Sequence, residues 1–436
     1  MKLTEEMADA FQRIEKTSEH LFITGKAGVG KTTFLRYIVE HTQKNVIVAA
    51  STGIAAVTAG GVTLHSLFRI PPEVQDPQKP LQGHLYKSKI DLFTKLDMLI
   101  IDEISMVRPD TLDYIDNMLR LYRMCNQSFG GVQVVMFGDL FQLPPVVKTE
   151  EKKILLQFYR GVYFFYANAL LKQGFRVIEL TQVFRQSDNR FVRILNHIRE
   201  YKLSTLDIDD LDELRDKQRS CDYNNDNIHI CVFKKDVQRI NSEMLGTPTH
   251  RFEAKLTGVF NQASAPCDIT LALRVGARVM MNANDPHHFY FNGSMGRISD
   301  IKNNVVYVLL DDSDTPIAVA PYQWEMKGYV LQNGKIETKV VGTCTQLPLT
   351  LAWAITIHKS QGLTFDKVSL HTMGIFAPGQ LYVALSRCRS MEGLVTESFI
   401  NQKQIIIDEE LVAFNEAVKK HKNIFDRYTY LSMNIK

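Results

Sequence analysis

The sequence predicts an α/β protein built on parallel sheets, and three features carry that reading. Short apolar runs alternate with helical patterns, in the order HLFITG, KTTFLRYIVEHT, NVIVAAST, LDMLIID and VQVVMFGD, which is the grammar of strands joined by crossover helices. The first run opens into a glycine-rich loop that leads into a helix. A later run, LIID, ends in two carboxylates. At 436 residues the chain exceeds the usual size of one domain, so two or three folding units with ample core are expected.

Taken in order, the strand HLFIT is followed by Gly25-Lys-Ala27-Gly28-Val29-Gly30-Lys31-Thr32. Glycines at these positions let successive backbone N–H groups point into one concavity, where they and the helix N-terminus hold phosphate oxygens. Lys31 is the residue expected to reach the outer phosphates, and Thr32 to ligate magnesium. The next helix shows Phe34, Leu35, Ile38 and Val39 on one face, the periodicity the motif requires. At the end of LIID, Asp102 stands where a magnesium shell needs an oxygen, and Glu103 can orient and deprotonate an attacking water. The strand VQVVMF leads to Gly138-Asp139-Leu-Phe-Gln142 with Pro144 and Pro145 beyond, which places a polar Gln142 just past a strand end.

From Arg69 to about Lys89 the pattern is broken by Pro71, Pro72, Pro77 and Pro80, as in a projecting insertion. A second α/β region begins near Glu179, with IHICVF, the helical KKDVQRINSEML, and the run Leu347 to Ile357, read as one buried strand. Between about Asp285 and Cys344 the pattern changes to short alternating strands with turn pairs at Asn292-Gly293 and Asn333-Gly334, and a small inserted β-barrel is expected. The acidic stretch from Leu206 to Asp226 reads as a solvated linker or helix face. Residues 1–178 are therefore assigned to a first lobe, with an insertion at about 69–90. Residues 179–284 and 345–436 form a second lobe, and residues 285–344 the barrel.

Composition narrows the classes without choosing among them. Hydrophobic residues at 45% and charged residues at 23% fit neither a disordered nor a membrane chain. Leu347 to Ile357 is too short to cross a bilayer and runs into His358 and Lys359. Six scattered cysteines with no CxxC pair signal neither a disulfide framework nor a zinc site. The acidic N-terminus has no signal-peptide or transit pattern, so a cytoplasmic location is expected. A net charge of +3 does not diagnose nucleic-acid binding, since a basic footprint can be local.

In this order GKAGVGKT, STGIAAVTAGGVTLHS, IIDEISMV, FGDLFQLPPV, LTQVFRQ, AWAITIHKSQGLTFD and YVALSRCRS resemble the successive motifs of the Pif (petite integration frequency) DNA helicases, in the RecD-like branch of superfamily one. The likeness runs from about Leu21 to Arg389. It implies two RecA-like lobes with ATP and Mg2+ between them, single-stranded or forked DNA as partner, and movement from 5′ to 3′; a monomer is the default expectation. It also implies that Thr33, Gln361 and Gly362 join the nucleotide site, and that Arg185 and Arg387 close over the phosphates from the second lobe. Thr52, Thr63, His65 and Ser66 would contact DNA in the first lobe, and Thr356, His358 and Lys359 in the second. The Pro-rich insertion resembles a strand-separating pin, and Asp110 to Phe129 occupies the place of the family's signature segment. One position departs from the pattern: the family's adenine-reading Gln is Met7 here. Two other readings stay open from the residues, a translocating ATPase that separates no duplex or prefers RNA, and a non-motor nucleotide switch.

Overall fold

The computed structural model describes residues 3–52, 55–56, 59–71, 73–77, 87–182, 188–220, 227–258, 267–332 and 335–433. Arg185, residues 72 and 78–86 of the Pro-rich insertion and the Asn333-Gly334 pair lie outside them. The chain divides into two units. The first comprises residues 1–214, 374–393 and 399–436, and the second residues 215–373 and 394–398.

In the first unit, strands β1 (Leu21–Gly25), β2 (Val46–Ala50), β3 (Val62–Thr63), β4 (Met98–Asp102), β5 (Gln133–Gly138) and β6 (Phe175–Leu180) form a parallel sheet in the order β6-β1-β5-β4-β2-β3. The strand Ile424–Phe425 adds antiparallel to β6 at one edge. Side chains alternate across the central strands. Leu21, Ile23, Met98, Ile100, Val135 and Phe137 face one core with helices α1 (Glu5–Lys16) and α2 (Lys31–His41). Phe22, Leu99, Ile101, Val134 and Met136 face the other, beneath the helix Pro109–Arg123. Burial on both faces is why these strands read as unbroken apolar runs. Because the six strands are parallel, Gly25, Asp102 and Gly138 all end at one edge of the sheet, the usual place for a ligand in such folds. Met7 is wholly buried in the core with α2, so the position that departs from the family pattern is apolar packing.

The C-terminal segment belongs to the first unit, unlike the division drawn from the sequence. Ile424–Phe425 completes the first sheet's edge, and in its core Phe414 stacks with Phe165 and Phe175 while Phe425 meets them edge-on or tilted. Up to residue 220, where the described residues pause, the acidic stretch is helical, one of the two expected readings, but its face is only partly solvated. It forms the helix Thr205–Ser220, in which Asp207 and Asp210 are buried. Asp207 accepts from Arg193 Nε at 3.0 Å and lies 2.6 Å from His197 Nδ1, and Arg190 pairs with Asp210. Charge pairing with the preceding helix holds what composition suggested was free.

The second unit has a four-stranded parallel sheet in the order Ala354–Thr356, Ile228–Cys231, Val368–His371, Leu394–Thr396. Its antiparallel part is no closed barrel among the described residues. A five-stranded ladder runs from Ile317–Val319 through Val305–Leu310, Met295–Lys302 and Arg278–Met281 to Leu349–Leu351, and a three-stranded sheet joins Tyr322–Gln332, Lys335–Gln346 and Lys255–Gly258. Both sheets recruit strands from outside residues 285–344, so the expected insertion is part of a larger open β region. The run Leu347 to Ile357 is likewise two short strands in different sheets, divided at Ala352 and Trp353.

Candidate nucleotide and nucleic-acid sites

The loop from Gly25 to Gly30 is shaped by backbone freedom. Gly28 and Gly30 have φ of 84° and 81°, which disfavours side chains, and a Cβ on Gly25 would meet Leu180 O at 2.6 Å. Gly30 caps α2 without any side-chain hydrogen bond, and the first-turn N–H groups of such a helix are the donors this kind of loop offers to an anion. Ala27 and Val29 are buried and anchor the loop. The Lys31 ammonium donates to Gly25 O at 2.6 Å and Lys26 O at 3.1 Å, folded over the loop it serves. Burial pulls its pKa down, while Asp139, Glu103 and Asp102 act to keep it charged.

At the end of β4, Asp102 is buried and its carboxylic acid is pushed up to about 7, first by burial and then by the charge of Glu103. Two adjacent carboxylates in a dry site are the donor set for a hard cation, and the Thr32 hydroxyl on α2 is of the right chemistry to complete it. These residues fit Mg2+, which when bound would supply positive charge against the phosphates. Glu103 takes φ 51° and ψ 46°, a left-handed conformation rare for a side-chain-bearing residue. Such strain is typical of residues held for function, here a carboxylate turned off the strand axis.

Beyond β5, Asp139 and Gln142 are both buried, and Gln142 N donates to Asp139 O at 3.0 Å. Three residues that sequence reasoning did not assign to the site gather here. Arg199 Nε lies 3.4 Å from Asp139 Oδ1, with its guanidinium 4.4 Å from the centre of the Phe141 ring. The Tyr382 hydroxyl accepts from Ala27 N at 2.9 Å. Asp139 and Tyr382 lay inside motifs already singled out, whereas Arg199 gave no local signal. Arg387 follows the helix Gln380–Leu385 in the same unit, is 3% exposed, and donates from Nε to Val383 O at 2.9 Å. A Cβ on Gly379 would meet Gln142 O at 2.2 Å, so only glycine allows this segment to approach the Gln142 loop.

The residues expected to touch nucleic acid lie at three turns, two in the first unit and one in the second. In the first unit Thr63 Oγ1 accepts from Ser66 N at 3.2 Å, leaving His65 and Ser66 exposed, and Thr52 caps its own turn through Ala55 N at 3.2 Å. In the second unit Thr356 Oγ1 accepts from Lys359 N at 3.2 Å, with His358 half-buried and Lys359 exposed. Gln361 and Gly362 follow directly, and Gly362 takes φ 82° with open space around it. Hydroxyl, imidazole and ammonium groups of this kind contact phosphate and sugar without selecting a base.

The chain is 48% identical to Bacteroides Pif1 helicase, solved with ADP-AlF3 and single-stranded DNA, with a TM-score of 0.85 over 98% of this chain and 99% of that one. The chain belongs to the Pif1 helicase family. A model of the PIF1-like helicase family also matches residues 2–210. Among curated Pif1 helicases, the ATP-dependent DNA helicase Pif1 of Campylobacter jejuni is 29% identical over 94% of this chain and 97% of its own length. The ATP-dependent DNA helicase PIF1 of zebrafish is 30% identical over 93% of this chain, which spans 62% of that relative's length. Among the described residues no helix is long and apolar enough to cross a membrane.

Proposed function

We propose that the chain is an ATP-dependent DNA helicase that moves 5′ to 3′ on single-stranded DNA and opens forked duplex. The observation that carries this reading is the convergence of Lys31, Asp102, Glu103 and Gln142 at one edge of the first sheet, in a member of a helicase family. In this reading the phosphate loop and Lys31 bind the nucleotide phosphates, and Asp102 with Thr32 holds Mg2+. Glu103 takes the proton of the attacking water, and Gln142 orients it. Arg185 and Arg387 stabilise charge on the transferring phosphoryl group. Thr52, Thr63, His65 and Ser66, together with Thr356, His358 and Lys359, grip the strand. Met7 provides no hydrogen bond to a base edge, so hydrolysis of nucleoside triphosphates other than ATP is part of the reading.

Strand displacement on forks with single 5′ or 3′ tails, with and without ATP, tests it. Opening of the 5′-tailed fork alone is expected, and opening of the 3′-tailed fork alone would reverse the polarity. ATP hydrolysis stimulated by DNA without displacement would reduce the protein to a translocase. G-quadruplex and RNA–DNA hybrid substrates in the same assay extend the substrate range.

A further inference from the structure

Arg199 closes the helix Asn189–Arg199 and is 6% exposed. Its Nε lies 3.4 Å from Asp139 Oδ1, its Nη1 is 3.6 Å from Glu179 Oε1, and its guanidinium rests on Phe141. Asp139 is fully buried. Its Oδ1 also accepts from Phe141 N at 3.2 Å, while Oδ2 has no hydrogen-bond donor among the described residues. The same residue accepts from Gln142 N through its carbonyl, and of the nearby carboxylates it favours the Lys31 ammonium most strongly, ahead of Glu103 and Asp102.

Arg199 is thus in direct contact with the buried Asp139, and Lys31 lies within its electrostatic reach. A buried carboxylate that loses its partner is costly and draws on the next available cation. Here that cation is Lys31, the group the phosphates need. We propose that Arg199 is a positioning residue for nucleotide hydrolysis: by engaging Asp139 it leaves Lys31 to the phosphates and holds the loop that carries Gln142. The proposal rests on the reading of Lys31 as a phosphate ligand. It differs from a packing role for Arg199 in one respect, because removing Asp139 as well should then repair the nucleotide site.

The test measures kcat and KM for ATP on saturating single-stranded DNA, with thermal melting as a check of folding, in Arg199→Met, Arg199→Lys, Asp139→Asn and the Arg199→Met/Asp139→Asn pair. Arg199→Met is expected to raise KM roughly 30-fold or more, the lower end of the cost of truncating one partner of a buried charge pair, with a smaller fall in kcat. Arg199→Lys should lie between, since charge is kept while the planar fork and ring stacking are lost. The double variant should recover KM to within about threefold of wild type, even where its melting temperature stays low. An unchanged KM in Arg199→Met, or a double variant as impaired as the two single changes combined, would overturn the proposal and leave Arg199 a packing residue. If Arg199→Met does not fold, the lysine and double variants carry the same decision. Lys31→Ala run alongside separates the two levels, because turnover surviving in it would defeat the phosphate-site reading itself.

Discussion

Each unit of the molecule contains a short parallel strand that ends in threonine and turns into a brief helix. The first reads Thr63-Leu64-His65-Ser66 and the second Thr356-Ile357-His358-Lys359. Both threonines cap the turn at 3.2 Å, both place a buried aliphatic residue beneath it, and both present a histidine next. The difference lies in what surrounds them. The first sheet ends in a phosphate loop, paired carboxylates and Gln142, and among the described residues the second parallel sheet has no such loop. In the proposed function the turn solves a holding problem that recurs along a strand of DNA, whereas phosphate chemistry needs one site with opposed charges and is built once.

The largest effect should come from breaking the part that is not shared. Lys31→Ala is expected to lower DNA-stimulated turnover by roughly 10³-fold or more with the fold intact, because the ammonium acts on phosphate and contributes little packing. Single-turnover hydrolysis checks this. Glu103→Gln keeps shape but removes the base, so it should bind nucleotide and DNA yet hydrolyse about 10² to 10⁴ times more slowly. Loss of nucleotide binding in that variant would assign Glu103 a structural role.

Acid compares the two units in another way, since each holds a histidine whose pKa is lowered to about 4, chiefly by desolvation: the buried His20 in the first and the half-buried His229 in the second. His20 Nδ1 accepts from Val134 N at 3.0 Å, which only the neutral ring allows. Below its ordinary pKa the unfolded chain binds the proton and the folded one does not. The contribution of His20 is therefore complete above about pH 6.5 and falls as pH drops to 4, by roughly 3 kcal/mol. Urea melts across this range should show that slope, and His20→Asn should flatten it.

The smallest effects sharpen the likeness of the two turns. Thr63→Val and Thr356→Val each lose a cap worth about 1 kcal/mol and should weaken single-stranded DNA binding by similar few-fold factors, while serine at either position restores it. The residue after histidine should part them. Lys359→Ala is expected to reduce the salt dependence of DNA binding by about one unit of slope, and Ser66→Ala to leave it unchanged. Equal slopes in the two variants would show that Lys359 makes no phosphate contact.

Much of this was legible in the sequence because the relevant physics is local. The glycines of the phosphate loop answer to backbone sterics within a few residues, and the parallel strands answer to burial on both faces. Lys31, Asp102, Glu103 and Gln142 could therefore be singled out from runs and spacing, as could Thr63 and Thr356 from the family resemblance. The antiparallel region was legible as strands but not as a sheet. Alternation reports which face is buried, and whether a ladder closes depends on strands contributed from far along the chain, such as Lys255–Gly258 and Leu349–Leu351.

The sequence by itself determined which groups stand at the edge of the first sheet, since each is placed by the strand or turn it terminates. Only the tertiary structure decided which distant residues brace that chemistry. Tyr382 meets Ala27 across 355 residues and Arg199 meets Asp139 across 60. It also returned residues 374–393 and 399–436 to the first unit and buried the aspartates of an acidic helix against arginines. Such pairings follow from the sum of packing and charge over the whole unit, and no period of two or 3.6 residues records them.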